Sequence, residues 1–201
     1  MLTTDVRYVM GLDLGRTRNH TAMAVLRREW HAATAAEFIA SGTRAYSGEF
    51  RYTVVGADRL SLGTPYPRVV SWVKSLAALY GDELGEIVVD ASGVGSVVMD
   101  ELRKAGIGVP LLGVVITGEQ ACASNGSGRT GAGYVTLSRT ELLMKLQVSV
   151  QGRKFRIERA KCREFDALRR ELGTVRLESG SKKEQDDLAF ALAMAVWRGL
   201  R

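Results

Sequence analysis

The sequence predicts an α/β protein on a central mixed sheet, an antiparallel meander followed by parallel strands, with helices on both faces. Two observations carry this. Three apolar runs lie close together near the start with no helical pattern between them, which is how a meander reads. From residue 67 onward, apolar stripes at helical spacing alternate with short all-apolar runs, the rhythm of strand–helix–strand crossovers.

Tyr8–Leu14 is an apolar run with one acid near its end, a buried strand stopping at Gly15. Thr21–Arg28 and Arg51–Leu60 read as the second and third strands. Pro67–Tyr80 carries Val69, Val70, Trp72, Val73, Leu76, Ala77 and Tyr80 as an amphipathic stripe, with proline near the start, where its missing N–H costs nothing. Glu86–Asp90 is another buried strand ending in an acid, Val94–Ala105 a helix stopped by Gly106, and Val109–Thr117 an apolar strand. Gly118–Gly133 holds five glycines and almost no large apolar side chain, so it reads as a mobile loop. Ser138–Val150 follows as a helix, Lys154–Glu158 as a short strand, and Lys161–Leu172 as a helix closed by Gly173. Val175–Glu178 reads as a strand, and Glu184–Leu200 as a long Ala-rich helix. No repeat or linker divides the chain, so residues 1–201 read as one domain.

Composition narrows the chemistry. Lys and Arg number 28 against 22 Asp and Glu, a net charge of +6 that favours a polyanionic partner. The apolar stretch Gly106–Gly118 falls short of the roughly 20 residues of a membrane span. Asp5 and Arg7 stand where a signal peptide needs its apolar core. Cys122 and Cys162 form no CxxC clip, so a reduced, cytoplasmic protein without membrane contact is expected. His20 and His31 are the only histidines, and their spacing supports no closed zinc site. The absence of any Gly-Lys dipeptide excludes a P-loop. [Asp/Glu]-x-Lys is missing too, against a restriction-enzyme nuclease core, and neither histidine accompanies a Gly-x-Ser-x-Gly elbow. What remains in quantity is acid.

Asp13 and Asp90 each end an apolar strand. Adjacent parallel strands lie about 5 Å apart, and ligands of such sheets bind outside the carboxyl ends of the strands. Asp186 and Asp187 add acids at the head of the last helix. Carboxylates converging on one point repel unless a divalent cation sits between them, and hard oxygen donors favour Mg²⁺ or Mn²⁺. Bland readings compete: a turn residue for Asp13, a helix cap for Asp90, a dipole partner for the pair. Ser181-Lys182-Lys183-Glu184 has capping-box spacing, which places the pair near the fifth and sixth helical positions, beyond the turn where the dipole helps most. Leu188, Ala191, Leu192, Ala195 and Val196 form a core-facing stripe, and the small Ala189, Ala191, Ala193 and Ala195 let this helix approach the sheet, carrying Asp187 towards the strand ends. Lys182, Lys183 and the loop residue Arg129 are candidates to meet DNA phosphates, with solvated charges the competing reading. His20 reads as a surface or turn residue.

The ordered set of strand-Asp13-x-Gly, strand-Asp90-x-x-Gly-x-Gly and Asp186-Asp187-Leu heading an Ala-rich helix resembles the nuclease domain of phage large terminase subunits. Val89 to Gly95 is similar to that family's second acidic motif. Gly133-Tyr134-Val135 leading to Ser138, and Glu184 to Ala189, resemble its later segments. The likeness runs from Arg7 to Trp197. It implies an RNase H-like (RuvC-like) fold and an endonuclease that cuts double-stranded DNA by two-metal-ion phosphodiester hydrolysis with Mg²⁺ or Mn²⁺. Asp13, Asp90 and Asp187 match the main metal ligands, with Asp186 accessory. One ion on Asp13 and Asp187 would lower the pKa of an attacking water; the second, on Asp13 and Asp90, would stabilise the leaving 3′ oxygen. The implied partners are double-stranded DNA, a terminase ATPase domain, a small terminase subunit and a portal, in a bacterial host's cytoplasm. Gln185 and Asn19-His20 depart from the family pattern, and these 201 residues carry no ATPase half. The alternatives are a RuvC-like Holliday junction resolvase and a non-catalytic DNA-binding relative.

Overall fold

A computed structural model describes residues 3–15, 19–32, 48–93, 95–117, 133–174 and 186–200. Its strands are β1 (Thr3–Asp13), β2 (Ala22–Ala32), β3 (Gly48–Arg59), β4 (Leu84–Asp90), β5 (Leu111–Thr117), β6 (Tyr134–Ser138) and β7 (Arg156–Ile157). They form one sheet in the order β6-β5-β4-β1-β2-β3-β7. β1, β2 and β3 are the antiparallel meander. β4, β5 and β6 continue parallel from β1, and β7 lies parallel to the outer edge of β3. The helices are α1 (Tyr66–Tyr80), α2 (Gly95–Lys104), α3 (Arg139–Gln151), α4 (Phe165–Thr174) and α5 (Asp187–Gly199). This is the mixed sheet with helices on both faces that the sequence predicts. No helix among the described residues is long and apolar enough to cross a membrane.

Side-chain alternation along the strands decides what each face carries. Met10, Leu12, Met23, Val25, Ile87 and Val89 pack with Val69 and Val73 of α1 and with Val98 and Leu102 of α2. Ala22, Ala24, Leu26, Val88 and Val114 pack on the other face with residues of α3, α4 and α5. Val9 joins this second core, and the period of two then turns Gly11 and Asp13 the same way. Asp90 follows Val88 by the same count. Both strand-end acids therefore sit on the face that α5 covers.

Leu188 to Trp197 of α5 are all buried, which is why this stretch is apolar all round. Its seat is made of small residues: Gly11, Ala22 and Ala24 on the sheet, alanines on the helix. A β-carbon at Gly11 would run into the carbonyl oxygen of Ala191, so helix and strand backbones meet directly.

Several boundaries differ from expectation. β1, β2 and β3 run past their apolar segments into half-exposed hairpin ends such as Asp5–Arg7 and Arg27–Trp30. The five-residue strand β6, which pattern alone does not separate from the following helix, pairs with β5 from Gly113–Tyr134 to Thr117–Ser138. β7 is only two residues long. The helix expected from Lys161 starts at Phe165, after a 3₁₀ turn at Arg159–Lys161, and runs through Gly173 to Thr174. The cause is tertiary: Glu158 N and Glu164 N donate to Val54 O and Ala57 O of β3, and Cys162 turns inward. Residues 118–132 of the glycine-rich loop, with Arg129, lie outside the described residues. So do the expected strand Val175–Glu178 and the segment holding Lys182 and Lys183.

The α5–β1 approach is testable. Gly11→Ala should lower the unfolding free energy by about 1–3 kcal/mol in urea titrations, the usual cost of overpacking. Gly85→Ala, whose β-carbon would meet only Tyr8 O at 3.6 Å, should leave it unchanged or slightly raised. Equal effects at both sites would mean that the helix does not rest on the strand backbone.

Candidate active site

In the β1–β4 pair, Leu12 stands opposite Val89. The next residue of each strand is Asp13 and Asp90, so the two acids are neighbours at one rim, on backbones about 5 Å apart. Asp90 Oδ1 accepts from Ser92 N at 2.8 Å. That bond turns the chain out of β4, and Ser92 Oγ ties the turn to β5 by accepting from Ile116 N at 2.8 Å. Asp90 is thus an Asx-type turn residue and does not cap α2, which begins at Gly95.

The third corner corrects the expectation for the Asp pair. The helix begins at Asp187, so Asp186 is its N-cap residue and Asp187 its first helical residue, not the fifth and sixth. Asp186 makes no side-chain cap. Instead Glu171 of α4, only 6% exposed, reaches across: its Oε2 accepts from Leu188 N at 2.8 Å and Ala189 N at 2.9 Å. Two of the orphan donors of the helix start are satisfied from a neighbouring helix. Arg59 of β3 lies 3.5 Å from the other Glu171 oxygen and 3.3 Å from Glu164. Asp187 is 1% exposed, too buried to be an ordinary solvated helix-start acid, and its Oδ2 accepts from His20 N at 3.0 Å. The His20 ring nitrogen Nδ1 bonds Leu60 O at 2.8 Å. Asp186 pairs with Arg139, the first residue of α3, whose guanidinium also lies 4.8 Å over the Phe190 ring.

These groups act on one another. Burial and then the like charges of Asp90, Asp187 and Asp186 push the Asp13 carboxyl well above the usual carboxylate range, with Arg139 opposing. Burial also raises Asp90 against its Ser92 hydrogen bonds, and raises Asp187 against the His20 N–H. Glu171 is pushed to about 7, chiefly by burial. Among the described residues no three or more His, Cys, Asp or Glu side chains are already gathered around one point as a metal cage. The donor chemistry nonetheless suits a hard divalent cation: carboxylate oxygens, mutually repelling, enclosed at a rim where a cation would remove the conflict.

The structure brings Asp13, Asp90, Asp186 and Asp187 to one rim and gives Asp186 an arginine partner. Arg139, Glu171 and the His20 backbone contact the acids or the helix that carries them, and sequence reasoning missed all three. Arg139 directly follows a parallel strand that ends at this same rim, so recognising β6 would have flagged it. Glu171 gives no local signal, because its partners lie across a tertiary contact.

No protein-family model matches the sequence, and no curated protein does. Among solved structures the chain is similar to a point mutant of the nuclease domain of the large terminase subunit gp2 of bacterial virus Sf6, determined with manganese and β-thujaplicinol. The TM-score is 0.56 at 14% identity, over 98% of this chain and 89% of that one. The class is therefore defined by fold: this chain has the RNase H-like fold of that terminase nuclease domain.

All four shifted carboxyls have folded pKa values above their unfolded ones, so the folded state binds protons more tightly. The stability they contribute is full below the ordinary carboxylate range and is lost as pH rises, through about 7 for Glu171. Without divalent ions the Tm should fall between pH 5 and pH 8, and Glu171→Gln should shrink that fall. A Tm that rises over this window would contradict the shifts.

Proposed function

We propose that residues 1–201 form one metal-dependent nuclease domain that hydrolyses phosphodiester bonds of double-stranded DNA, as the nuclease part of a viral packaging terminase. The observation that carries this reading is the meeting of Asp13, Asp90 and Asp187 at the carboxyl ends of β1 and β4 under the start of α5. Similarity to a nuclease domain that was determined with manganese supports it, as does the net charge of +6.

Asp13, between the other two, would hold both of two Mg²⁺ or Mn²⁺ ions, sharing one with Asp187 and one with Asp90. Such ions supply water activation and charge neutralisation at the scissile phosphate. The protein's own part is positioning. The Ser92 N–H fixes one oxygen of Asp90, and the His20 N–H fixes one oxygen of Asp187, leaving the others for the site. Glu171 anchors the first turn of α5, so Asp187 is presented from a rigid element. Arg139 holds Asp186 at the edge and would offer a cation to a bound phosphate. DNA, a terminase motor domain, a small subunit and a portal are the partners that fit this role.

Supercoiled plasmid should be nicked or linearised with Mn²⁺ or Mg²⁺ and left intact in EDTA. Asp13→Asn, Asp90→Asn and Asp187→Asn should each lower the rate by roughly a hundredfold or more, the scale of losing a preorganised electrostatic contact. A folded wild type that cleaves under none of these conditions would refute the reading, while preference for four-way junctions would reassign the substrate to that of a resolvase.

The metal can be tested without cleavage. Mn²⁺ at a hundred times its Kd should stabilise the fold by about 2.7 kcal/mol, visible as a Tm rise of several degrees. Asp13→Asn should remove that rise without lowering the metal-free Tm, since it relieves like-charge repulsion. A wild type that gains no stability from either ion would have no such site.

A further inference from the structure

A cleft of about 540 Å³ opens on the α1 side of the sheet, between the connection that follows β3 and the first turns of α1. A chain of hydrogen bonds links it to the acid rim. Leu60, which lines the cleft, accepts the His20 ring hydrogen bond, and His20 N donates to Asp187. Two hydrogen bonds thus separate the cleft from the helix-borne acid.

The lining has a definite chemistry. Arg68 is exposed, and among the described residues it has no acidic partner and no acid lines the cleft. Trp72, half-buried, forms part of the wall. The Ser71, Ser75 and Thr64 hydroxyls donate to Pro67 O, Ser71 O and Ser61 O at 2.9, 3.0 and 2.6 Å, so they present lone pairs to a ligand. One unpaired cation, a flat indole and a row of acceptors match one polymer unit: an anionic phosphate, a base with a π-face, and N–H donors on its edge. The volume lies within the ~300–1,000 Å³ of small-ligand sites, enough for a nucleotide and too small for a duplex.

We infer that this cleft is a nucleotide subsite, taking an unpaired nucleotide of the DNA strand that flanks the acid rim, its phosphate on Arg68 and its base against Trp72. This rests on the nuclease reading and extends it: the strand is gripped beside the cut as well as at it. The two charges have opposite tasks. Acids at the rim gather cations, and Arg68 a short way off binds the backbone directly.

The test uses the whole chain and a fluorescently labelled duplex carrying a single-stranded tail, with Ca²⁺ present, read by anisotropy over a range of salt. Arg68→Ala should weaken binding roughly five- to tenfold and reduce the salt slope by about one. Arg68→Lys should recover the slope. Trp72→Phe should abolish the quenching of tryptophan emission that the tail causes and weaken binding of the tailed duplex more than of a blunt one. Lys154→Ala, outside the cleft, removes the same charge and should leave the tail preference unchanged; the Mn²⁺-induced Tm rise should persist in all four variants. Wild-type binding and slope in both Arg68→Ala and Trp72→Phe, with plasmid cleavage intact, would overturn the subsite while leaving the nuclease reading standing. A wild type that neither binds nor cuts DNA would overturn both.

Discussion

The backbone contact between α5 and β1 sets the position of everything at the rim. Gly11 has no side chain, Ala191 has almost none, and the helix consequently lies on the strand. Ala191 is one turn after Asp187, so the contact fixes where that carboxylate emerges, beside Asp13 two residues further along β1. A larger residue at either point would lift the helix and separate the acids before it altered any acid directly. Burial on this scale also anchors the helix: each fully buried Leu of α5 contributes about 1.5–3 kcal/mol.

Against that attraction stands the repulsion of four carboxylates around one rim. The fold tolerates it by supplying neutral donors and cations, among them Ser92 N–H for Asp90, His20 N–H for Asp187 and Arg139 for Asp186. Burial and its acidic neighbours hold the Asp13 carboxyl well above the usual carboxylate range, with the Arg139 charge opposing. Conflict of this kind is typical of groups arranged for a task. Glu171 belongs to the support and not to the rim. Its carboxylate is spent on the α5 backbone and Arg59.

Much of the framework is legible in the sequence because it depends on local period and punctuation. The meander, the crossovers of α1 and α2, and the strand-end positions of Asp13 and Asp90 all follow from alternation and apolar stripes. The alanine spacing of the last helix also announces its close packing. What the sequence hides is set by contacts across the fold. The capping-box spacing at Ser181–Glu184 suggests a helix start near residue 182, while α5 starts at Asp187 because Glu171 caps it there. The short strand β6 is held by its pairing with β5, and overlooking it conceals Arg139. His20 contributes through its backbone N–H, which no side-chain pattern reports.

The proposed function has one direct consequence: a hard cation should settle between the strand-end acids and the head of α5. Crystals soaked in Mn²⁺ and measured at the manganese absorption edge test this most directly. Anomalous peaks within coordination distance of Asp13, and flanked by Asp90 and Asp187, are expected, with none there in Asp13→Asn crystals. Peaks confined to surface carboxylates elsewhere, with Asp13, Asp90 and Asp187 left bare at saturating Mn²⁺, would contradict a metal-dependent nuclease centre at this rim.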